Sequence, residues 1–268
     1  MIGRGGELLS VPMRALRRSG TVWALSMAAL IALTVAFWPA FRTEADLSRI
    51  VEALPKEIID AFGLADFGSP AGFLRGNLYA VMVPLLLGVA AVILTNGQTA
   101  GEEDAGRVEL YLAQPVSRQA VFIGRVGASL LWLLVIAVVM LIAQLASDAA
   151  FNLTIGTDRL VATTALCLLL AAWYAGLTAL VAGWTARPGL AMGIGIALVV
   201  AGYVIMALFP ISTVLAPWRH VSPWDWALGG DPLVHPAEAW RYLVLAIPAL
   251  AMAAAGTFAF GRRDVQAA

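Results

Sequence analysis

Residues 98–125 read QTAGEEDAGRVELYLAQPVSRQAVFIGR, with adjacent acids at Glu102, Glu103 and Asp104, arginines at Arg107, Arg118 and Arg125, and a break at Pro115. Apolar runs long enough to cross a bilayer flank it on both sides, so the stretch reads as a polar turn between two membrane helices. A loop of this kind is suited to receive force from another protein.

Composition supports a chain built for lipid. Of 268 residues, 61% are hydrophobic and 13% charged, against about 25% charged in a soluble domain. The one cysteine, Cys167, lies in an apolar run, which excludes a disulfide framework and a cysteine-rich metal site. The one lysine, Lys56, sits in ALPKE, so the Gly-Lys-Ser/Thr phosphate loop is written nowhere in the chain. Any ATP the protein uses must be bound by a partner.

Six apolar runs of spanning length fall near Thr21–Phe41, Asn77–Gly97, Val126–Ser147, Leu160–Thr185, Gly189–Phe209 and Tyr242–Gly261. Alternate connections differ in basic charge. Residues 1–20, 98–125, 186–188 and 262–268 hold 10 Lys and Arg in 58 residues, whereas 42–76, 148–159 and 210–241 hold 7 in 79. The positive-inside rule therefore places both termini and the 98–125 loop in the cytoplasm. The expected fold is an all-α membrane protein of six transmembrane helices (residues 21–261), with an amphipathic amino-terminal segment (1–20) and a cytoplasmic tail (262–268). Arg4, Arg14, Arg17 and Arg18 alternate with apolar residues in the amino-terminal segment, which suits a helix on the membrane surface or a basic flank that orients the first span. That span is longer than a signal peptide's apolar core and lacks a cleavage site, so it reads as an uncleaved helix.

The first outer connection contains SRIVEALPKEIIDAFG, where Ile50, Leu54, Ile58 and Phe62 recur every four residues and predict a helix with one apolar face. The last, 210–241, carries five prolines with Trp218, Trp224, Trp226 and Trp240. These tryptophans fit an interfacial aromatic belt or short re-entrant pieces buried in protein. Within the six runs no Asp, Glu, Lys, Arg or His lies away from the ends, which argues against an ion-driven carrier. His220 and His235 lie in the last outer loop, so a zinc-protease helix, haem ligation and a metal site are not expected. Polar residues inside the runs, among them Gln144, Tyr174, Thr178 and Tyr203, either line a path or bond to neighbouring helices. Gly189 with Gly193, and the stripe Ala175, Ala179 and Gly183, suit close helix contact within the chain or with a second copy.

In the loop, Asn96-Gly97 signals a turn and Thr99 with Glu102 has the form of a capping box. The expectation is a short helix over Ala100–Ala113, its acids in the first turn, with a Glu103–Arg107 pair. Val108, Tyr111 and Leu112 share a face, Pro115 stops the helix, and Ser117 caps the one entering the third span. A solvated loop whose charges merely keep it out of lipid is the plain alternative.

The stretch GEEDAGRVELYLAQPVSR resembles the signature of ABC-2-type permeases, an E-E-x-x-G-T/R element followed by leucines and P-V-S-R. ALPKEIIDAFG with SPAGFL, and VSPWDWALGGDPL, resemble segments of the subgroup of polyketide-antibiotic exporters. The resemblance runs from the amino-terminal segment to the sixth run. It departs at Asp104, where a third glutamate or a basic residue is common, and at Arg107-Val108, where Gly-Thr-Leu is usual. It implies two six-helix permeases, a second copy or a paralogue, paired with two cytoplasmic ATPase subunits that carry ATP and Mg. The loop would be the coupling helix, with Glu102, Glu103, Gly106, Pro115 and Arg118 at motif positions and Asp104, Arg107 and Tyr111 beside them. The implied protein is a multi-pass subunit of a bacterial plasma-membrane exporter for multidrug or antibiotic efflux. It is no enzyme itself, binds no cofactor or metal of its own, and has no nucleic-acid partner. A sensor or assembly factor that docks a partner through the same loop is the competing reading.

Overall fold

Backbone N–H and C=O groups in lipid have no water to bond, so a spanning chain must satisfy them internally. The structure, a computed structural model, describes residues 4–41, 68–107 and 116–263, and these form helices and turns with no strand. Helix α1 (Arg4–Ala15) leads into α2 (Arg17–Ala36) and the short α3 (Trp38–Phe41). Next come α4 (Pro70–Leu74), a π turn (Arg75–Tyr79), α5 (Met82–Gln98) and α6 (Ala100–Asp104). They are succeeded by the long helices α7 (Arg118–Phe151), α8 (Thr157–Thr185) and α9 (Pro188–Leu208). Two 3-10 turns and α10 (Pro223–Leu228) then lead to α11 (Ala239–Arg262).

Among the described residues, six stretches are long and apolar enough to span a membrane: Arg17–Phe41, Pro70–Asp104, Arg118–Phe151, Thr157–Thr185, Pro188–Ile211 and Ala239–Arg262. Each contains one of the runs read from sequence. The second extends furthest beyond its run, beginning at Pro70 instead of Asn77 and ending at Asp104 instead of Gly97. Ser69 caps it, its Oγ accepting the Gly72 N–H at 3.0 Å, and Pro70 occupies the first helical position, where no N–H is needed. Arg75 therefore lies inside a span, neutralised by Asp231 at 2.7 Å. The amphipathic helix expected over residues 48–62 lies outside the described residues.

Local chemistry sets the other helix ends. Ser117 Oγ accepts the Ala120 N–H at 3.1 Å, as its sequence position suggests. Asn152 and Ala186 take left-handed conformations (φ 52° and 53°) that stop α7 and α8. With 34 residues, α7 is about 51 Å long, well beyond the roughly 30 Å hydrocarbon thickness.

Helix α1 runs along the start of α7, where Trp132 Nε1 donates to the Met13 carbonyl at 3.0 Å. A Cβ on Gly124 would strike the Leu8 carbonyl. Phe122 stacks on Phe260 at 4.9 Å between ring centroids, joining the start of α7 to the end of α11. The amino-terminal helix, the loop after α5 and the end of α11 thus share one end of the bundle.

The most extensive helix pair is α8 with α11. A Cβ on Gly176, Gly183 or Gly256 would collide with the facing backbone at Ala249, Gly256 and Ala179 respectively, so these backbones touch directly. Ala179 and Gly183 of the expected Ala175–Ala179–Gly183 stripe belong to this seam. Gly189 and Gly193 do not, since a Cβ on either meets nothing within 4 Å. Leu25, Leu33, Ile142 and Leu250 are each more than half exposed, a surface suited to lipid and not to water.

Gly256→Val is expected to force α8 and α11 apart and to cost about 1–3 kcal/mol, lowering the thermal midpoint of the purified protein by circular dichroism. Gly193→Ala, placed in open space, should leave that midpoint unchanged or raise it slightly.

Candidate functional site

The three adjacent acids of the 98–125 loop sit on α6, a single helical turn. Thr99 does not cap it: its backbone is at φ −107°, ψ −96°, and its hydroxyl donates to the Thr95 carbonyl at 2.7 Å. The expected helix over Ala100–Ala113 is interrupted where the chain turns at Ala105 and Gly106, the latter at φ +69° where glycine carries no steric cost; its residues from 108 on lie outside the described residues. Tyr111 and Pro115 fall within residues 108–115, outside the described residues.

The expected Glu103–Arg107 pair is not made. Arg107 instead reaches Glu102 through Nε at 2.9 Å, and Glu102 also meets Arg125 at 3.3 Å. Arg125 is buried in α7 and donates to the Gln98 carbonyl at 3.0 Å. Glu103 turns inward to Arg263, which grips both carboxylate oxygens, at 2.8 and 2.6 Å. Bidentate, charge-assisted pairs of this kind are short and geometrically specific. Truncating one member of a buried pair costs about 3–5 kcal/mol, so Glu103, whose side chain is 6% exposed, belongs to the chain's own framework. Arg118 donates to the Arg263 carbonyl at 2.7 Å, bringing it into the same cluster. Asp104 and Arg107 remain exposed.

At the opposite end, the connection between α9 and α11 folds into a cap of short turns around α10. Ser222 Oγ donates to the Gly202 carbonyl of α9 at 2.7 Å. Trp224 departs from the outer interface and follows the alternative of a short piece buried in protein: it is fully buried, and its Nε1 donates to the Tyr174 hydroxyl of α8 at 3.0 Å. Its indole N–H has no water to bond at that depth, and Tyr174 supplies the acceptor. Trp218 and Trp240 do face outward, while Trp226 is partly exposed and donates to the His220 carbonyl at 2.6 Å.

Tyr174 and Thr178 are buried. Tyr174 donates to the Leu198 carbonyl at 3.4 Å, and Thr178 bonds back to the Tyr174 carbonyl at 2.8 Å. Both act in packing. Tyr203 does line a cavity, about 80 Å³ in volume, beneath the cap with Arg75, Tyr79, Thr163, Met206, Arg219, Asp225 and Asp231. Asp225 pairs with His220 Nδ1 at 2.8 Å and with Arg219 at 3.8 Å. Sites for drug-sized ligands are about 300–1,000 Å³, so in this conformation the cap closes over a space for a few waters. Sequence reading missed Ser222, Asp225, Asp231 and Arg263. Their partners are remote in the chain and no local spacing announces them. Among the described residues no three His, Cys, Asp or Glu side chains group as metal ligands.

A family model described as "Multidrug efflux system permease Rv1217c, C-terminal domain" matches residues 8–261. The match takes in the cap and the loop cluster apart from Arg263. Curated proteins give no match.

Trp224→Phe leaves the Tyr174 hydroxyl without its buried donor and is expected to cost about 1–3 kcal/mol. Trp218→Phe, at an exposed position, should stay within about 0.5 kcal/mol of the parent. Thermal unfolding in one detergent compares the two.

Proposed function

The chain belongs to the family of the multidrug efflux system permease Rv1217c C-terminal domain and is a transporter permease subunit, and from this we propose that it is the membrane part of an ATP-driven ABC-2-type exporter. Two copies, or this chain and a paralogue, enclose the pathway in a bacterial plasma membrane. Two cytoplasmic ATPase subunits bind ATP and Mg and seat on the 98–125 loop. The denser basic charge of the loop-bearing end supports its cytoplasmic placement.

The anchoring of α6 carries this reading. Arg125 holds one acid of the loop to α7 and Arg263 holds the next to the end of α11. A loop that only kept charges out of lipid would need neither tie. A rigidly mounted helical turn, by contrast, passes a push into the bundle. Asp104, exposed at the end of this turn, and Arg107, exposed just after it, are the proposed contacts with the ATPase. A sensor or assembly factor would account for the loop but not for membership of an efflux permease family. The cargo proposed is an apolar or amphipathic compound such as a drug or antibiotic, including the polyketide class suggested by the outer segments. The chain performs no covalent step.

Co-expression with an ATPase encoded beside it should yield a complex that moves solute only with ATP. Asp104→Arg combined with Arg107→Glu should leave folding intact and lower ATP-driven transport roughly tenfold, within the 5–150-fold span of ordinary coupling energies. Transport equal to the parent would remove the loop from the mechanism.

A further inference from the structure

We propose that Arg263 is a positioning residue that passes motion of the loop into a rigid α8–α11 pair and so to the cap at the far end. The inference rests on the reading of the chain as an ATP-driven permease. Helix α6 is the last turn of the second span, set off from α5 at Thr99, whose backbone departs from helical geometry. Its orientation beyond that break is fixed by what grips it. Arg263 grips it with a planar fork on both oxygens of Glu103, a geometry that fixes orientation as well as distance. The same guanidinium donates through Nε to the Gly183 carbonyl of α8 at 3.3 Å. Arg118 of α7 secures the Arg263 carbonyl. One side chain at the end of α11 thus joins the loop to α8.

Those two helices move together. Gly183 and Gly256 lie backbone against backbone, with no side chain between them to absorb a shift. At the other end the same pair holds the cap twice. Tyr174 of α8 accepts from Trp224, and Arg241 of α11 donates to the Asp225 and Trp226 carbonyls at 2.9 and 3.1 Å. A displacement of α6 therefore reaches the roof of the cavity through α8 and α11 as one lever.

The test uses the permease–ATPase complex in proteoliposomes, with ATP hydrolysis, ATPase retention and ATP-driven uptake of ethidium read on the same preparation. Arg263→Gln and Glu103→Gln are expected to keep the ATPase bound and hydrolysing while ethidium moved per ATP falls roughly tenfold. The exchanged pair, Glu103→Arg with Arg263→Glu, should recover most of that ratio. Single variants that couple like the parent, or an exchanged pair no better than the singles, would overturn the proposal. If the single variants do not fold, Glu103→Cys with Arg263→Cys joined by a short bis-maleimide decides. Transport preserved after cross-linking supports motion as a unit, and transport abolished by it refutes the lever. A parent complex with no ATP-driven uptake would overturn the exporter reading itself.

Discussion

Burying apolar side chains gains little when the surrounding solvent is itself apolar, so a membrane bundle is held by close van der Waals contact and by the few polar bonds available. In this protein that contact is greatest where α8 and α11 meet through Gly176, Gly183 and Gly256. Helix α8 sits at the centre, touching α5, α7, α9, α10 and α11. The seam fixes the helix on which the other features are mounted. Tyr174 offers its hydroxyl to the cap from one part of α8 and Gly183 its carbonyl to Arg263 from another.

Among the described residues, charged groups are correspondingly confined to the two ends. At one end guanidinium groups from α7 and from the end of α11 clamp the acids of α6. At the other, a serine, a tryptophan and Arg241 draw the cap into the bundle. Between them, Thr163, Thr164 and Thr178 satisfy their hydroxyls on the carbonyl four residues back in their own helix. That arrangement leaves the interior uncharged without leaving these hydroxyls unbonded.

The six spans were legible in the sequence because length and apolarity suffice to define them. The cap at Ser117 was legible because its hydroxyl serves the N–H three residues on. Failures came where a local rule met a distant partner. Arg75 reads as a loop residue until Asp231, 156 positions away, neutralises it inside a helix. Glu103 reads as the partner of Arg107 until Arg263, 160 positions on, takes both oxygens. Thr99 reads as a cap, yet its hydroxyl finds the Thr95 carbonyl of the preceding helix first. Trp224 reads as one of an aromatic belt, but only Tyr174 on α8 explains why this tryptophan alone is drawn in. Gly189 and Gly193 carry the same spacing as glycines that pack, and the fold gives them nothing to pack on.

The π turn over Arg75–Tyr79 gives the second span two differently directed parts. Ala80 N–H bonds to the Arg75 carbonyl at 2.7 Å, so the turn holds one residue more than an α repeat, and Val81, at φ −138° and ψ −60°, sets α5 off from it. Arg75 addresses an acid in the cap while Leu78, Val83 and Leu87 stay wholly within the apolar core. The break thus separates the addressing of the cap from the packing of the bundle, so that the two ends of one span answer to different partners.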